Sequence, residues 1–362
     1  MDLSLDLQKF YRGKRVLITG NTGFKGSWLS AWLESLGAEI HGLSLDVPTT
    51  PSAFESLGGA KRFKTDFVDI RDFEATRKSI HGFRPEIVFH MAAQPLVRLS
   101  YSDPELTWGS NVMGTVSVLE AVRTCQSVIG CAVISSDKCY DNLEWEFAYR
   151  ENDRLGGKDP YSASKAGTEI VFRSHYESYF KASTQTVLSF RAGNVIGGGD
   201  WAIDRIIPDC MRAFQNKDSA RIRNPLATRP WQHVLEPLGG YLMAMASALS
   251  LPASERARWN GESFNFGPYA ENSKTVGELV KELGRTLSTF KFSIDPPAQG
   301  APHEAKFLKV SFEKAWSWMQ WRPTLNFDET VRWTAEGYSE GSDFSKHVSG
   351  KISEFQTRFG RT

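Results

Sequence analysis

An excess of charge of either sign is missing from this chain: 43 Lys and Arg stand against 42 Asp and Glu in 362 residues. Without one there is no electrostatic argument for nucleic acid or an anionic membrane surface, and a small, locally read ligand is the expected partner. Long apolar runs are missing as well. No stretch approaches the roughly 20 residues that a membrane span needs. The amino-terminal MDLSLDLQKFYRGKRVLITG lacks a basic region leading into an apolar core and cleavage site. A soluble, cytoplasmic protein is therefore expected, with no membrane and no nucleic acid among its partners. Cysteine is scarce. Cys125, Cys131, Cys139 and Cys210 lie scattered, without the short paired spacings that bind zinc, so free thiols and no metal are expected. There is no internal repeat and no long low-complexity tract.

What is present is alternation. Short β-branched runs (KRVLITG, EIHGLSL, EIVFHMAA, CAVISS) exchange with amphipathic helical stretches (FKGSWLSAWLESLG, SVLEAVRTC) through the first half. That order predicts parallel strands joined by right-handed crossovers: an α/β fold, a doubly wound parallel sheet of the Rossmann type. Past about residue 195 the chain turns to loops rich in Gly, Pro, Trp and Arg with shorter helices. The expected division is a dinucleotide-binding domain over 1–195, with some later segments returning to it. Residues 196–362 are expected to be mainly a smaller mixed α/β substrate lobe and carboxyl-terminal helices, covering the edge where open α/β sheets bind ligands.

VLITGNTGFKG places Gly20, Gly23, Phe24 and Gly26 on the first strand-to-helix turn, where a tight bend brings backbone amides to a pyrophosphate. The second strand runs toward Asp46, whose carboxylate can accept ribose hydroxyls and would repel a 2′-phosphate, favouring NAD over NADP. Lys25 inside the glycine loop is a contrary hint, and Asp46 also reads as a turn residue before Pro48.

DPYSASKAGTE sets Tyr161 and Lys165 four residues apart on a helix that Pro160 can begin, so both share a face. A nearby ammonium lowers a phenol's pKa, which would let Tyr161 take a proton from a secondary alcohol as its hydride leaves. An exposed pair on an ordinary amphipathic helix is the competing reading. CAVISSDK ends an apolar strand in Ser136, Asp137 and Lys138. Either the last two form a surface ion pair contributing little, or they are an acid and a base held at a strand end.

The glycine spacing, together with VDIRD, HMAAQ, NVMGT and the Tyr-x-x-x-Lys, resembles the extended short-chain dehydrogenase/reductase family. That resemblance implies that Asp69 and Ile70 hold the adenine, that Ala92 and Ala93 lie beside the cofactor, and that Asn111 stands at the start of a helix near it. It also implies that Ser136 orients the reacting alcohol. GNTGFKGSWLS, FHMAAQPLVRLSY, SSDKCYDN, RAGNVIGGGDWAIDRIIPD and NPLATRPWQHVLEPL look like the nucleotide-sugar 4,6-dehydratases of that family, in the branch acting on CDP-sugars, with CDP-glucose the implied substrate. SSDK stands where TSDK is expected.

Such an enzyme oxidises C4 through Tyr161 and NAD, removes the C5 proton with Lys138, protonates the departing 6-hydroxyl with Asp137, and returns hydride to C6. A salt bridge between Asp137 and Lys138 would oppose both roles, so the two side chains are expected to diverge, with Asp137 protonated and Lys138 neutral. Asn194, Arg205, Arg229, Asn265 and His303 are the implied substrate contacts, Arg229 as a pyrophosphate clamp. A homodimer or a dimer of dimers is implied, through helices near residues 104–125 and 160–180, with Val118, Leu119, Ile170 and Val171 as apolar surface. A UDP-N-acetylglucosamine dehydratase, a C4 epimerase and, in another class, a non-catalytic NAD-binding regulator stay open.

Overall fold

The computed structural model describes residues 6–295, 307–339 and 343–359. Its strands, in chain order, are β1 (Arg15–Thr19), β2 (Glu39–Ser44), β3 (Thr65–Phe67), β4 (Ile87–His90), β5 (Gly130–Ile134), β6 (Thr186–Ala192), β7 (Val195–Ile196), β8 (Ser219–Ile222), β9 (Thr228–Pro230), β10 (Gln232–His233), β11 (Ser263–Phe266), β12 (Ser273–Thr275) and β13 (Lys291–Ile294). Seven of them form one parallel sheet in the order β3-β2-β1-β4-β5-β6-β11. β4, β5 and β6 are buried along their whole length. Helices cover both faces of such a sheet, which is why these segments show little polar-apolar alternation.

Successive side chains feed two separate cores, as a period of two requires. Val16, Ile18, Phe89, Ile134 and Phe190 point to one face. There they meet Trp28, Leu29, Trp32 and Leu33 of helix Phe24–Ser35, and Leu238, Tyr241 and Met245 of helix Leu235–Ser250. Leu17, Val88, Cys131, Val133 and Val187 point to the other. They pack on Ile80 of helix Phe73–Phe83, on Val118, Leu119 and Val122 of helix Gly114–Thr124, and on Phe172 of helix Pro160–His175. This is the doubly wound α/β arrangement. Truncating a fully buried tryptophan such as Trp28 to alanine would cost about 3–5 kcal/mol.

One expectation is corrected here. Val118 and Leu119 are fully buried within the chain's own core, so they supply no surface to a second copy, and Val171 packs partly against the same core. Ile170 alone of the four is outward, 60% exposed. Helical periodicity selects an apolar face but does not say whether the sheet or a partner covers it.

A third core lies off the sheet, where Ile207, Met211, Ile222, Trp231, Leu279 and Leu283 gather. The small strand pairs β7·β10, β8·β13 and β9·β12 lie along this region. Helix Phe327–Glu336 ties it to the main body, with Val331 in the small core and Trp333 in the large one. Strand order reverses between β1 and β4, and the crevice at their carboxyl ends is where an open α/β sheet takes its ligand. It opens into a cavity of about 1920 Å³ walled by both the sheet edge and the small lobe. A single small-molecule pocket rarely exceeds about 1,000 Å³, so this one has room for two ligands.

Candidate active site

The glycine loop floors one end of the cavity. Gly20 has φ +74°, and a Cβ there would sit 2.8 Å from the Ala92 amide nitrogen. A Cβ on Gly26 would lie 2.1 Å from the Gly20 carbonyl oxygen, so the turn closes only with glycine at both positions. Gly23 caps helix Phe24–Ser35 without a side-chain hydrogen bond, leaving first-turn amides for an anion. Phe24 lines the cavity beside them. Asp46 lies just past β2, exposed along the cavity, and its carbonyl accepts a 2.6 Å hydrogen bond from Thr22 Oγ1. Asp69 and Ile70 form the wall beyond. Arg71 holds the Asp69 carboxylate at 2.6 Å and keeps its pKa below the usual range. A dinucleotide with an unphosphorylated ribose fits this cradle: bare amides for its pyrophosphate and a carboxylate for its hydroxyls.

Ala92 and Ala93 are held from below. Thr19 Oγ1 accepts the amides of Met91 and Ala92 at 3.1 Å each and lies 2.7 Å from His90 Nδ1. Asn111 belongs to this support and not to the cofactor surface. It sits in a π-helical turn, Gly109–Met113, instead of starting a helix. Its buried amide accepts from the Gln94 amide at 2.8 Å and donates to the Gln94 carbonyl and to Ser164 Oγ. With its amide committed to protein, Asn111 braces the loop after β4 against the helix carrying Tyr161.

That helix, Pro160–His175, begins with Pro160 at its first position and with Asp159 as N-cap, accepting the Ser162 amide at 2.9 Å. The capping fixes where Tyr161 emerges, and Ser100 Oγ accepts the Tyr161 amide at 3.1 Å. Burial pushes the Tyr161 phenol up to about 12, opposed first by a hydrogen bond with Ser136 and then by the Arg205 guanidinium. The cation acting on this phenol is therefore Arg205, where Lys165 was expected. Lys165 is itself buried and lowered to about 8 by desolvation.

β5 ends at Ile134, and Asp137–Cys139 follow as a short 3₁₀ turn that Ser136 caps. Ser136 Oγ donates to Asp137 Oδ1 at 3.0 Å and accepts the Lys138 amide at 3.2 Å. Asp137 is 3% exposed; Oδ2 has no hydrogen-bond partner, and burial raises its pKa. A Cβ on Gly193 would approach that oxygen to 2.9 Å, so the residue before Asn194 must be small. Lys138 is part-buried on the cavity wall. Among the described residues Asp137 and Lys138 form no ion pair with each other. The structure thus gathers Ser136, Asp137, Lys138, Tyr161 and Lys165 around one cavity.

Among the expected substrate contacts, Asn194, Arg205 and Arg229 line the cavity. Arg205 is paired with Asp200 at 3.0 Å. Asn265 does not line it: fully buried, it accepts from the Tyr140 hydroxyl at 2.7 Å and donates to the Tyr149 carbonyl at 3.0 Å, so its role is internal. His303 lies outside the described residues. Sequence reasoning missed one group and misplaced another, Lys25, which it read as a hint of an extra phosphate. Glu169, one turn beyond Lys165, forms a fully buried pair with Arg191 of β6 at 2.7 Å; the repeat of four in Tyr161, Lys165, Glu169 is the signal that was there to find. Lys25 turns inward, its ammonium 3.2 Å from the Tyr241 hydroxyl, and is lowered to about 7 by burial and by Lys165 and Arg205.

Fold and site together define a Rossmann-type protein whose dinucleotide-sized cradle adjoins Ser136, Asp137, Lys138 and Tyr161 in one cavity. The chain matches the family model for GDP-mannose 4,6 dehydratase over residues 17–334 and belongs to that family. It is 45% identical over 359 residues to the CDP-glucose 4,6-dehydratase of Salmonella typhimurium, covering 97% of this chain and 98% of that one. To the GDP-mannose 4,6 dehydratase of Homo sapiens it is 25% identical, over 87% of this chain and 89% of the other. Among solved structures, the dTDP-glucose 4,6-dehydratase DesIV of Streptomyces venezuelae, crystallised with NAD and TYD, superposes with a TM-score of 0.76 at 20% identity, covering 92% of this chain and 99% of that one. An epimerase of Methanothermobacter thermautotrophicus gives 0.80 at 22% identity, over 98% of both chains.

Proposed function

We propose that this chain converts CDP-glucose to CDP-4-keto-6-deoxyglucose with bound NAD, the reaction named for its 45% identical relative. The observation carrying the reading is Asp137: a carboxyl buried in the cavity wall, its pKa raised by that burial, and not ion-paired with the lysine that follows it. An epimerase has no use for a buried proton donor at that point. Eliminating water requires one.

The first 195 residues would carry most of the NAD site and the remainder mainly the sugar nucleotide. Gly20, Gly23, Phe24 and Gly26 would take the pyrophosphate, Asp46 the adenosine ribose, Asp69 and Ile70 the adenine, and Ala92 and Ala93 the flank. Bound there, NAD would supply the hydride acceptor for C4 and the donor for C6. Tyr161 receives the proton of the 4-hydroxyl. The ketone acidifies C5, and Lys138 takes that proton, exchanges it with solvent, and later returns a solvent-derived proton to C5. Asp137 protonates the 6-hydroxyl, which leaves as water. Arg205 and Arg229 would hold the substrate's phosphates through guanidinium forks, with Asn194 beside the sugar. General acid and base groups of this kind each contribute about 10²–10⁴ in rate. Assembly as a homodimer and a cytoplasmic setting belong to the same proposal.

Incubation with NAD and CDP-glucose in deuterated water, followed by mass analysis, tests it. The product should lose one water and carry deuterium at C5. An isomeric sugar with no loss of mass would instead mark a C4 epimerase. Turnover of UDP-N-acetylglucosamine with none of CDP-glucose would transfer the reading to the amino sugar.

A further inference from the structure

Glycine stands on the wall of this cavity for two different reasons. At Gly20 the φ of +74° puts the backbone where an L side chain is strained. Gly193 is of another kind. Its φ lies outside the left-handed region, so the backbone at the end of β6 does not itself call for glycine. Space is what calls for it. The nearest atoms to an added Cβ would be Asp137 Oδ2 at 2.9 Å, the Pro230 ring at 3.3 Å and the Asp137 carboxyl carbon at 3.5 Å.

The sheet brings these residues together. β5 and β6 are neighbours with Ile134 opposite Phe190, and just past the end of β5 the Ser135 amide donates to the Phe190 carbonyl at 2.9 Å. Three residues beyond that pair, one on each strand's continuation, stand Asp137 and Gly193. The register that aligns the strands thus carries the carboxyl and the glycine to one point on the cavity wall. The carboxyl is seated from its other side as well. Its Oδ1 accepts from Ser136 Oγ at 3.0 Å, the 3₁₀ turn Asp137–Cys139 fixes its backbone, and Oδ2, without a hydrogen-bond partner, faces the glycine.

We propose that Gly193 is a positioning residue for the elimination step: the missing side chain is the space that seats the Asp137 carboxyl where it protonates the departing 6-hydroxyl. The proposal rests on the dehydratase reading. Ordinary contact with a Cβ begins at 3.4 Å, so a methyl group at residue 193 drives Oδ2 or the Pro230 ring outward. The two do not resist equally. Pro230 is a buried, rigid ring in β9, where it pairs with Ser273 of β12; the carboxyl is the end of a side chain held by one hydrogen bond. The carboxyl therefore moves, its contact with Ser136 opens, and the proton donor leaves its place.

Oxidation at C4 is spared by the same geometry. Tyr161 and Lys165 are carried by helix Pro160–His175, the cofactor cradle by the glycine loop, and no atom of either is among the nearest neighbours of the added methyl. The two halves of the reaction are thus separable at one residue.

Gly193→Ala tests this with two substrates. With NAD and CDP-glucose, formation of the 4-keto-6-deoxy product should fall about a hundredfold, the cost of misplacing a reacting group by about an ångström. CDP-6-deoxyglucose has a 4-hydroxyl to oxidise and no 6-hydroxyl to lose, so it isolates the first step. Mixed with either NAD-loaded protein, it should give reduced nicotinamide, read by its near-ultraviolet absorbance, at the same rate in the variant as in the wild type. Asp137→Ala supplies the second comparison. With no carboxyl to displace, adding Gly193→Ala to that chain should slow product formation no further, a result independent of how the single variant folds. Equal losses with both substrates in a folded chain, no loss with either, or a glycine penalty that persists beside Asp137→Ala each overturn the positioning role and leave dehydration standing. A wild type that removes no water from CDP-glucose overturns the dehydratase reading, and the positioning role with it.

Discussion

His90 shows how much chemistry one buried side chain can settle. Thr19 Oγ1 already accepts two backbone amides, so its own proton goes to His90 Nδ1, which leaves Nε2 to donate to Thr115 Oγ1 at 3.0 Å. The ring is thereby assigned as the neutral Nε2–H tautomer by its network. Burial and the Lys165 ammonium lower its pKa from 6.5 to about 3, and burial does the same for His233. With folded values below unfolded ones, the unfolded chain binds more protons in the interval between them. The stability involved is fully present above pH 6.5 and is lost as pH falls toward 3, by about 1.4 kcal/mol per unit per histidine. Urea denaturation between about pH 7 and pH 5 should show this acid loss, and His90→Gln should shallow the slope by about one proton; an unchanged slope would count against the neutral ring.

Residue types show where legibility stops. Tyr161, Lys165 and the Ser136–Lys138 run were readable because a strand end or a helix start fixes where such side chains emerge. Asn111 and Asn265 were misread because an amide facing a ligand and one facing a neighbouring loop have the same sequence surroundings. Only the partners in space separate the two.

Among elements, helix Pro160–His175 connects the chemistry to the core. Tyr161, Lys165 and Glu169 succeed one another at a spacing of four along one face, from the cavity inward. Glu169 accepts from Ser189 at 2.6 Å and from Ser135, the neighbour of Ser136, while Arg191 reaches from Glu169 to the Tyr140 hydroxyl at 2.8 Å. The buried pair thus ties helix Pro160–His175 to the turn bearing Asp137 and Lys138. Removing one partner of such a pair leaves an uncompensated interior charge. Arg191→Met should therefore cost about 3–5 kcal/mol, with Glu169→Gln in the same chain recovering a large part of it. A denaturation cycle over the two single variants and the double one checks this, and simple additivity would refute the coupling.

Four of the seven sheet strands, β1, β2, β4 and β5, were legible as apolar or β-branched runs; β6 was not, because Ser189 and Arg191 interrupt it although it is buried throughout. The Glu169–Arg191 pair was not, because charged residues usually lie on the surface and nothing local marks the rare buried pair.

At the scale of the whole molecule, the question is which apolar surface the chain leaves uncovered. Trp108 packs its ring against Gly167 and remains 42% exposed; Ile170, one turn further along, is 60% exposed, and Met113 on the adjoining helical segment is 57% exposed. These side chains belong to packed neighbours, helix Pro104–Trp108, the turn Gly109–Met113 and helix Pro160–His175, and lie on the side away from the core that takes Val118 and Leu119. Their exposure as one apolar patch across packed neighbours is the surface that association of two copies would cover. A stable interface buries about 800 Å² on each partner around an apolar centre with few charges. A carboxylate placed at that centre would be desolvated without a partner. Sedimentation should give a dimer for the wild type and a monomer for Ile170→Glu. Val118→Ala, by contrast, should lower the unfolding midpoint while leaving the dimer intact, because its methyl groups are lost from the interior of one chain. Retention of the dimer by Ile170→Glu would place the contact elsewhere.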